Sequence, residues 1–255
     1  RSGCDWSSDV CSSDLLSEKI QLINLLPKSN YRDKFIIGTG LNSLVDNINL
    51  IKIAKSNGFN KFLIMPPAYY KYSDHDVINF YSRIIDEINE CKIILYNFEK
   101  LSGYKFSIDC VEELVKKFPS QIVGVKDSSY NLYENLKIDN FSVMPGSESK
   151  LLKGLELGCS GIITATTNVT SILARDVYDK FQNGSDQSSN EKLCLVRSIF
   201  DKFNLISGLH TFMAQIDHDY QNLIPPLKLL NENEKKIFFA ELQKLDFDFK
   251  HLKAA

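Results

Sequence analysis

Short apolar runs alternate with longer amphipathic segments along most of the chain. Six runs rich in β-branched residues and leucine predict strands. The segments between them place apolar residues at i, i+3, i+4 and i+7, as a helix with one buried face does. Alternation of this kind predicts parallel strands joined by helical crossovers. The predicted strands are FIIG (35–38), FLIM (62–65), KIILYN (92–97), IVGVK (122–126), FSVM (141–144) and GIITA (161–165).

The near-continuous apolar character of these strands indicates a sheet that is buried on both faces. Two α/β folds bury a parallel sheet in this way, the (β/α)8 or TIM barrel and the open doubly wound sheet. The strand count does not separate them, since six strands can be counted and a helix at about 16–26 precedes the first. Residues 185–255 carry helical patterns interrupted by LIPPLKLL (223–230), and they predict a C-terminal helical extension.

The first fifteen residues differ in composition from the rest of the chain. RSGCDWSSDVCSSDL contains the only Trp, two of the six Cys and a run of Ser and Asp. It resembles the translated read-through of a sequencing adapter, so we interpret residues 1–15 as a non-native segment that replaces authentic coding sequence. The alternative is a disordered polar tail. Resequencing of the genomic locus distinguishes the two, and either interpretation excludes the segment from function.

Charge and composition favour a small-molecule partner. The 255 residues are 44% apolar and carry 30 Lys+Arg against 32 Asp+Glu, for a net charge of -2. This balance argues against binding of nucleic acid or of an anionic membrane surface. The apolar runs are too short to cross a bilayer, and we expect no export signal. The six Cys form no CxxC pair, which favours reduced thiols and a cytoplasmic protein.

Lys126 is the candidate nucleophile because it ends the otherwise apolar strand IVGVK. In βα barrels the reacting groups gather at the carboxyl ends of the strands. A lysine held among apolar groups loses hydration, which lowers its pKa and supplies a free amine that can form an imine with a ketone. Taken alone, a lysine at a strand end more often extends to solvent and pairs with a neighbour such as Asp127.

Tyr96 supports the catalytic interpretation of Lys126. It lies near the carboxyl end of KIILYN, the predicted strand that precedes the Lys126 strand. Adjacent parallel strands lie about 4.8 Å apart, so both side chains can reach one small ligand. A phenol there can relay protons during imine formation and carbon-carbon bond cleavage. The alternative for Tyr96 is a packed core aromatic with a satisfied hydroxyl group.

The remaining motifs favour neither a metal ion nor an organic cofactor. Gly38-Thr39-Gly40 lacks the third glycine of a dinucleotide fingerprint, and no P-loop motif occurs. None of the four His has companions at the spacing of a metal site or of a Ser/His/Asp triad. Pro66-Pro67, followed by Tyr69 and Tyr70, predicts a stiff aromatic loop that closes a pocket or packs against a partner subunit.

The order and spacing of the motifs resemble the dihydrodipicolinate synthase/N-acetylneuraminate lyase family of class I aldolases. The resemblance runs from about Leu16 to at least Val169. It implies a (β/α)8 TIM barrel, with residues 16–184 as the barrel portion and the first β-α-β unit missing. The family's threonine turn would lie before residue 16 and is absent. The motifs are YN (96–97), SG (102–103), IVGVKDSS (122–129), GSE (146–148) and GIITATTNV (161–169).

The resemblance also implies a role for each of five residues. Lys126 would form the imine with pyruvate or another 2-oxo acid, and Tyr96 would be the proton relay. Ile163 would contact the bound pyruvyl unit through its backbone, and Gly124 would leave room beside the lysine. Tyr69 would be an aromatic residue lent across a subunit interface of a homotetramer. No cofactor and no metal is implied.

The implied activity is that of a Schiff-base-forming lyase, which makes or breaks a carbon-carbon bond to a 2-oxo acid or sugar acid. Dihydrodipicolinate synthases carry an arginine where this chain has Leu101, which cannot donate a charge-assisted hydrogen bond. Leu101-Ser102-Gly103 is closer to N-acetylneuraminate lyases and sugar-acid aldolases. The alternatives are a dihydrodipicolinate synthase proper and, because the threonine turn is missing, a non-catalytic barrel that serves as a binding or assembly subunit. An open-sheet dehydrogenase is disfavoured by the absent glycine fingerprint.

Overall fold

The computed structural model describes residues 16–29 and 32–249, without the side chains of Lys28 and Arg32. The interpretation of residues 1–15 therefore falls outside the described residues. The chain divides into two compact units, with the boundary between Gly146 and Ser147. We call residues 16–146 the N-terminal unit and residues 147–249 the C-terminal unit. The boundary lies inside the predicted barrel portion, 16–184, whose limits stay a prediction.

The N-terminal unit contains a five-stranded sheet in which the strand order follows the chain order. Each strand pairs in parallel with the next, as the alternating pattern predicts. Five of the six predicted strands are confirmed to within two residues at each end. The strands are β1 (Ile37–Gly38), β2 (Lys61–Ile64), β3 (Lys92–Asn97), β4 (Ile122–Asp127) and β5 (Ser142–Pro145).

The helices of this unit begin where the sequence offers side-chain caps. Ser43, Ser73 and Ser107 each accept a hydrogen bond from the backbone N–H three residues further on, which satisfies a donor that the first helical turn leaves without a partner. The helices are α1 (Leu16–Leu25), α2 (Leu44–Ser56), α3 (Asp74–Glu87), α4 (Glu99–Ser102) and α5 (Ile108–Lys117), with short 3-10 helices at Leu26–Lys28 and Arg32–Lys34.

An irregularity in the ladder between β3 and β4 decides which side chains face each other. The register shifts by one residue, so that Ile94 lies opposite Gly124, and Tyr96 lies opposite Lys126. Without the shift Val125 would lie opposite Tyr96. Because successive side chains of a strand point to opposite faces, the shift also decides on which face of the sheet the lysine meets the tyrosine.

In the part of the C-terminal unit that the structure describes, the regular secondary structure consists of helices, as expected for a helical extension, whose predicted bounds, 185–255, stay a prediction. Residues 222–231, which include LIPPLKLL, contain no helix, as the proline pair predicts. The helices are α6 (Leu151–Glu156), α7 (Thr167–Gln182), α8 (Ser188–Phe200), α9 (Leu205–Met213) and α10 (Glu232–Lys244), with short 3-10 helices at Glu148–Lys150 and His218–Gln221.

The strand predicted at GIITA (161–165) was wrong. Residues 161–164 have no regular secondary structure, and a turn at 165–166 leads into α7. β-branched residues favour an extended chain, but a strand also needs ladder hydrogen bonds to a neighbour. Here the carbonyl groups at the end of the run accept hydrogen bonds from side chains in the first turn of α7 instead. Thr167 Oγ1 donates to the carbonyl of Thr164 at 2.6 Å, and Asn168 Nδ2 donates to that of Ala165 at 2.7 Å.

Gly124 permits a close approach of β4 and β5. A Cβ atom at this position would lie 2.6 Å from the backbone oxygen of Ser142, well inside van der Waals contact. We expect Gly124→Ala to lower the free energy of unfolding by about 1–3 kcal/mol, because the two strands must separate. Gly38→Ala in β1 is the matched control, since its Cβ would meet no described atom within 4 Å. Equal midpoints of urea unfolding for the two variants would contradict this expectation.

Candidate active site

Lys126 and Tyr96 lie side by side at the carboxyl ends of β4 and β3. The two residues are ladder partners, and Nζ of Lys126 lies 4.0 Å from the centroid of the Tyr96 ring. Lys126 is completely buried, and Tyr96 is only 6% exposed. The long lysine side chain therefore does not extend to solvent. The sheet places an amine and a phenol side by side where water is largely excluded.

Apolar side chains from neighbouring strands surround the Tyr96 ring. Leu63 of β2 and Ile94 of β3 are buried with it, and the ring of Phe98 stacks on it with centroids 6.0 Å apart. In such a medium charged forms are disfavoured, and hydrogen bonds and charge interactions are stronger than in water. The partly buried side chains that pack against this cluster are Met65, Phe98, Val123 and Met144.

Asn97 and Asp127, which directly follow Tyr96 and Lys126, form a second buried pair that the sequence analysis missed. Asn97 Nδ2 donates to Asp127 Oδ1 at 2.8 Å, and both residues are completely buried. Since side chains alternate along a strand, this pair faces away from the lysine and the tyrosine. Polar residues next to the candidate pair, at the ends of two adjacent strands, were the signal that could have identified them.

The other predicted site residues lie in different settings. Gly124 lies two residues before Lys126 on β4. Tyr69 belongs to the same unit but is 89% exposed on the loop after β2, has a φ of +90°, and makes an edge-to-face contact with Tyr70. Ile163 belongs to the C-terminal unit and lies, half-buried, in the segment without regular secondary structure.

The Dihydrodipicolinate synthetase family model matches residues 14–245 of this chain. This range covers nearly the whole chain, including the lysine and tyrosine strands. The chain belongs to the dihydrodipicolinate synthetase family. The resemblance seen in the motifs is therefore confirmed at the level of the family.

Two relatives and one solved structure illustrate the similarity of this family member. An uncharacterized DapA-like lyase of Chloroflexus aurantiacus is 28% identical over 74% of this chain and 66% of its own length. N-acetylneuraminate lyase of Clostridium perfringens is 27% identical over 62% of this chain and 55% of its own. The pyruvate complex of the chloride-inhibited dihydrodipicolinate synthase of Acinetobacter baumannii is 25% identical, with a TM-score of 0.81 over 94% of this chain and 84% of that one.

These comparisons confirm the predicted fold class. The likeness to the Acinetobacter baumannii synthase covers 94% of the chain, and the family fold is the (β/α)8 TIM barrel. The chain spans less than two thirds of the length of the two relatives named above.

In this family member the threonines that follow GII hold a buried ion pair of the C-terminal unit. The Glu148 carboxylate is completely buried and accepts hydrogen bonds from Arg197 Nη1 at 2.8 Å and from Thr164 and Thr170 at 3.0 Å each. Burial opposes the charge of Arg197, but Glu148 and Asp201 outweigh it and raise the pKa of the guanidinium. The hydroxyl groups thus serve the packing of α7 and α8.

Removal of the arginine should leave a buried carboxylate without its counter-charge. We expect Arg197→Met to lower the free energy of unfolding by about 3–5 kcal/mol, as loss of one partner of a buried ion pair does. Arg175→Met is the matched control, because Arg175 also pairs with an aspartate four residues further on but is 70% exposed in its side chain. Guanidinium unfolding should show no clear change for this control. A small loss for Arg197→Met would argue against the network.

Neither a metal centre nor a membrane span is found in the described ranges of this family member. Across residues 16–29 and 32–249, no three His, Cys, Asp or Glu side chains are grouped so that they could hold a metal ion. In the same ranges, every helix is too short or too polar to cross a bilayer.

Proposed function

We propose that this chain is a Schiff-base-forming lyase in which Lys126 attacks the keto carbon of pyruvate or another 2-oxo acid. The observation that carries the proposal is the completely buried amine of Lys126, 4.0 Å from the ring of Tyr96. Full burial disfavours the ammonium form by several kcal/mol. Contact with an aromatic face stabilises that form by about 2 kcal/mol. We infer that this loss of hydration favours the uncharged, nucleophilic amine.

The proposed reaction begins when the nitrogen lone pair of Lys126 attacks the keto carbon and forms a carbinolamine. Loss of water from the carbinolamine gives the imine, which accepts electrons when the bond at the neighbouring carbon breaks. In the cleavage direction this is the carbon-carbon bond to the aldehyde part, which leaves as the aldehyde. The resulting enamine takes up a proton, and water releases pyruvate and regenerates the amine. Tyr96 relays protons to and from the oxygen atoms that change their bonding.

We propose a sugar acid as the larger substrate and an aldehyde as the second product. Leu101 on α4 is 45% exposed and offers no charge for a second carboxylate, and one relative is an N-acetylneuraminate lyase. Dihydrodipicolinate synthase proper is the alternative, since the similar structure from Acinetobacter baumannii is such a synthase complexed with pyruvate. Ile163 would contact the pyruvyl unit through its backbone, and Gly124 would keep the space beside the lysine open.

The proposed assembly is a cytoplasmic homotetramer in which the loop after β2 packs against a second copy. Tyr69 and Tyr70 are 89% and 67% exposed, and together they form an aromatic surface that water solvates poorly. Ala68 N–H donates to Asn42 Oδ1 at 2.8 Å, which ties the loop to the turn before α2. A loop fixed in this way can present its two rings to a partner with little loss of conformational entropy.

Pyruvate and borohydride together should label Lys126 covalently, because borohydride reduces the imine to a stable secondary amine. We expect peptide mass spectrometry to locate the adduct on Lys126, and Lys126→Met to abolish it. Lys92→Met is the control, because Lys92 lies exposed at the opposite end of the adjacent strand; this variant should label like the wild type. Label at another lysine would refute the assignment of the nucleophile, and no label at all would favour the non-catalytic subunit.

Loss of the Tyr96 hydroxyl group should slow proton transfer while leaving the aromatic contact with Lys126 in place. We expect Tyr96→Phe to reduce turnover by about 100-fold or more, the usual contribution of a positioned acid or base. Pyruvate release from a panel of 2-oxo sugar acids provides the measurement. Tyr81→Phe is the control, since that buried hydroxyl group donates to the backbone of Ile64 at 2.7 Å, away from the site. Equal turnover of both variants would exclude the relay.

A further inference from the structure

We propose that Asn97 is a positioning residue, which holds Lys126 beside Tyr96 by fixing the register at the end of the β3–β4 ladder. The inference rests on the proposed function, in which the amine and the phenol act on one substrate. Asn97 lies opposite Asp127 in the ladder, one residue beyond the catalytic pair. It acts through the backbone of both strands and has no role in the chemistry itself.

The backbone alone does not determine the alignment of β3 with β4 at this point, so side-chain contacts can select it. The ladder already contains a one-residue shift near Ile94, so β3 and β4 have more than one plausible alignment. A slip by one residue would carry the Lys126 side chain to the opposite face of the sheet. At the strand ends, one backbone hydrogen bond that such a slip would break joins Ser128 N–H to the carbonyl of Asn97 at 2.9 Å.

The Asn97 amide fits only the observed register. Its Nδ2 group donates to Asp127 Oδ1 and to Asn131 Oδ1, both at 2.8 Å, and its Oδ1 accepts from the backbone N–H of Phe106 at 3.1 Å. The orientation of the amide is unambiguous, because a carboxylate requires the nitrogen and an N–H requires the oxygen. A slip of β4 would break the bond to Asp127 and leave buried polar atoms without partners.

Asp127 connects the loop after β4 to the same point. Besides the amide of Asn97, its carboxylate accepts from the backbone N–H groups of Tyr130, Leu132 and Tyr133 at 2.9–3.0 Å. These four donors match the four acceptor sites of a carboxylate. One side-chain pair therefore anchors the ends of both strands and the loops that follow them.

The same hydrogen bonds also fix the positions of the Tyr96 and Lys126 side chains. Tyr96 and Lys126 precede Asn97 and Asp127 directly in the chain, so any rotation of the anchored peptides moves their side chains. Displacement by about 1 Å can reduce a rate about 100-fold. A residue that only stabilised the fold would change the melting temperature but not the rate of the folded enzyme.

The test compares Asn97→Ala with Tyr104→Phe, which also removes a buried hydrogen-bonding group from the N-terminal unit. Tyr104 is 5% exposed, and its hydroxyl group donates to Asp74 Oδ1 at 2.7 Å. The full chain is mixed with saturating pyruvate and quenched with borohydride over time below the melting temperature. We expect the rate of labelling at Lys126 to fall about 100-fold in Asn97→Ala, with little change in the half-saturating pyruvate concentration. Tyr104→Phe should react like the wild type.

Asn131→Ala keeps the inference testable if Asn97→Ala does not fold. It removes one partner of the Asn97 amide and leaves the bond to Asp127, so a smaller decrease in rate is expected. Wild-type rates in either folded variant would overturn the proposal. If the wild type takes no label with pyruvate, the proposed function fails separately. Competitive acetylation, with Lys92 as internal reference, then decides: altered reactivity of Lys126 in the folded variant supports positioning, and unchanged reactivity overturns it.

Discussion

The amine of Lys126 lies in full burial against the ring of Tyr96, and strands β2, β3 and β4 of the N-terminal unit hold this contact in place. Removal of an amine from water is unfavourable for its charged form. A buried lysine would therefore return to solvent unless its strand held it in place. The apolar residues of β2 and β3 exclude water, and β4 supplies the backbone. A side chain that is normally solvated is thus held in the sheet with little hydration, and the proposed role of Lys126 as the nucleophile depends on this burial.

The two faces of β3 and β4 carry different kinds of side chain. One face carries the lysine and the tyrosine among apolar side chains. The other carries Asn97 and Asp127 in a network of hydrogen bonds to the following loops. Neutral N–H donors occupy both oxygen atoms of the Asp127 carboxylate on the face away from the amine. Because side chains alternate along a strand, the buried amine and phenol lie on one face, and the hydrogen-bonded pair occupies the adjacent residues on the other.

Several motif residues of this family member serve packing. Gly124 admits the backbone of β5, which would otherwise collide with a side chain at that position. Thr164 and Thr170 bind the buried Glu148 carboxylate and thereby connect the start of the C-terminal unit to α7. A motif can therefore identify a family reliably while its residues divide between chemistry and structure.

The sequence by itself determined the alternation of strands and helices, the family and the candidate pair, because apolar periodicity and polar residues at strand ends are local signals. It failed at GIITA, since a strand depends on a hydrogen-bonded neighbour as well as on β-branched residues. Only the tertiary structure decided which residue faces Tyr96, because the one-residue shift between β3 and β4 leaves no mark in either strand alone. The same holds for the bond between Asn97 and Asp127, which joins residues thirty positions apart and exists only in that register.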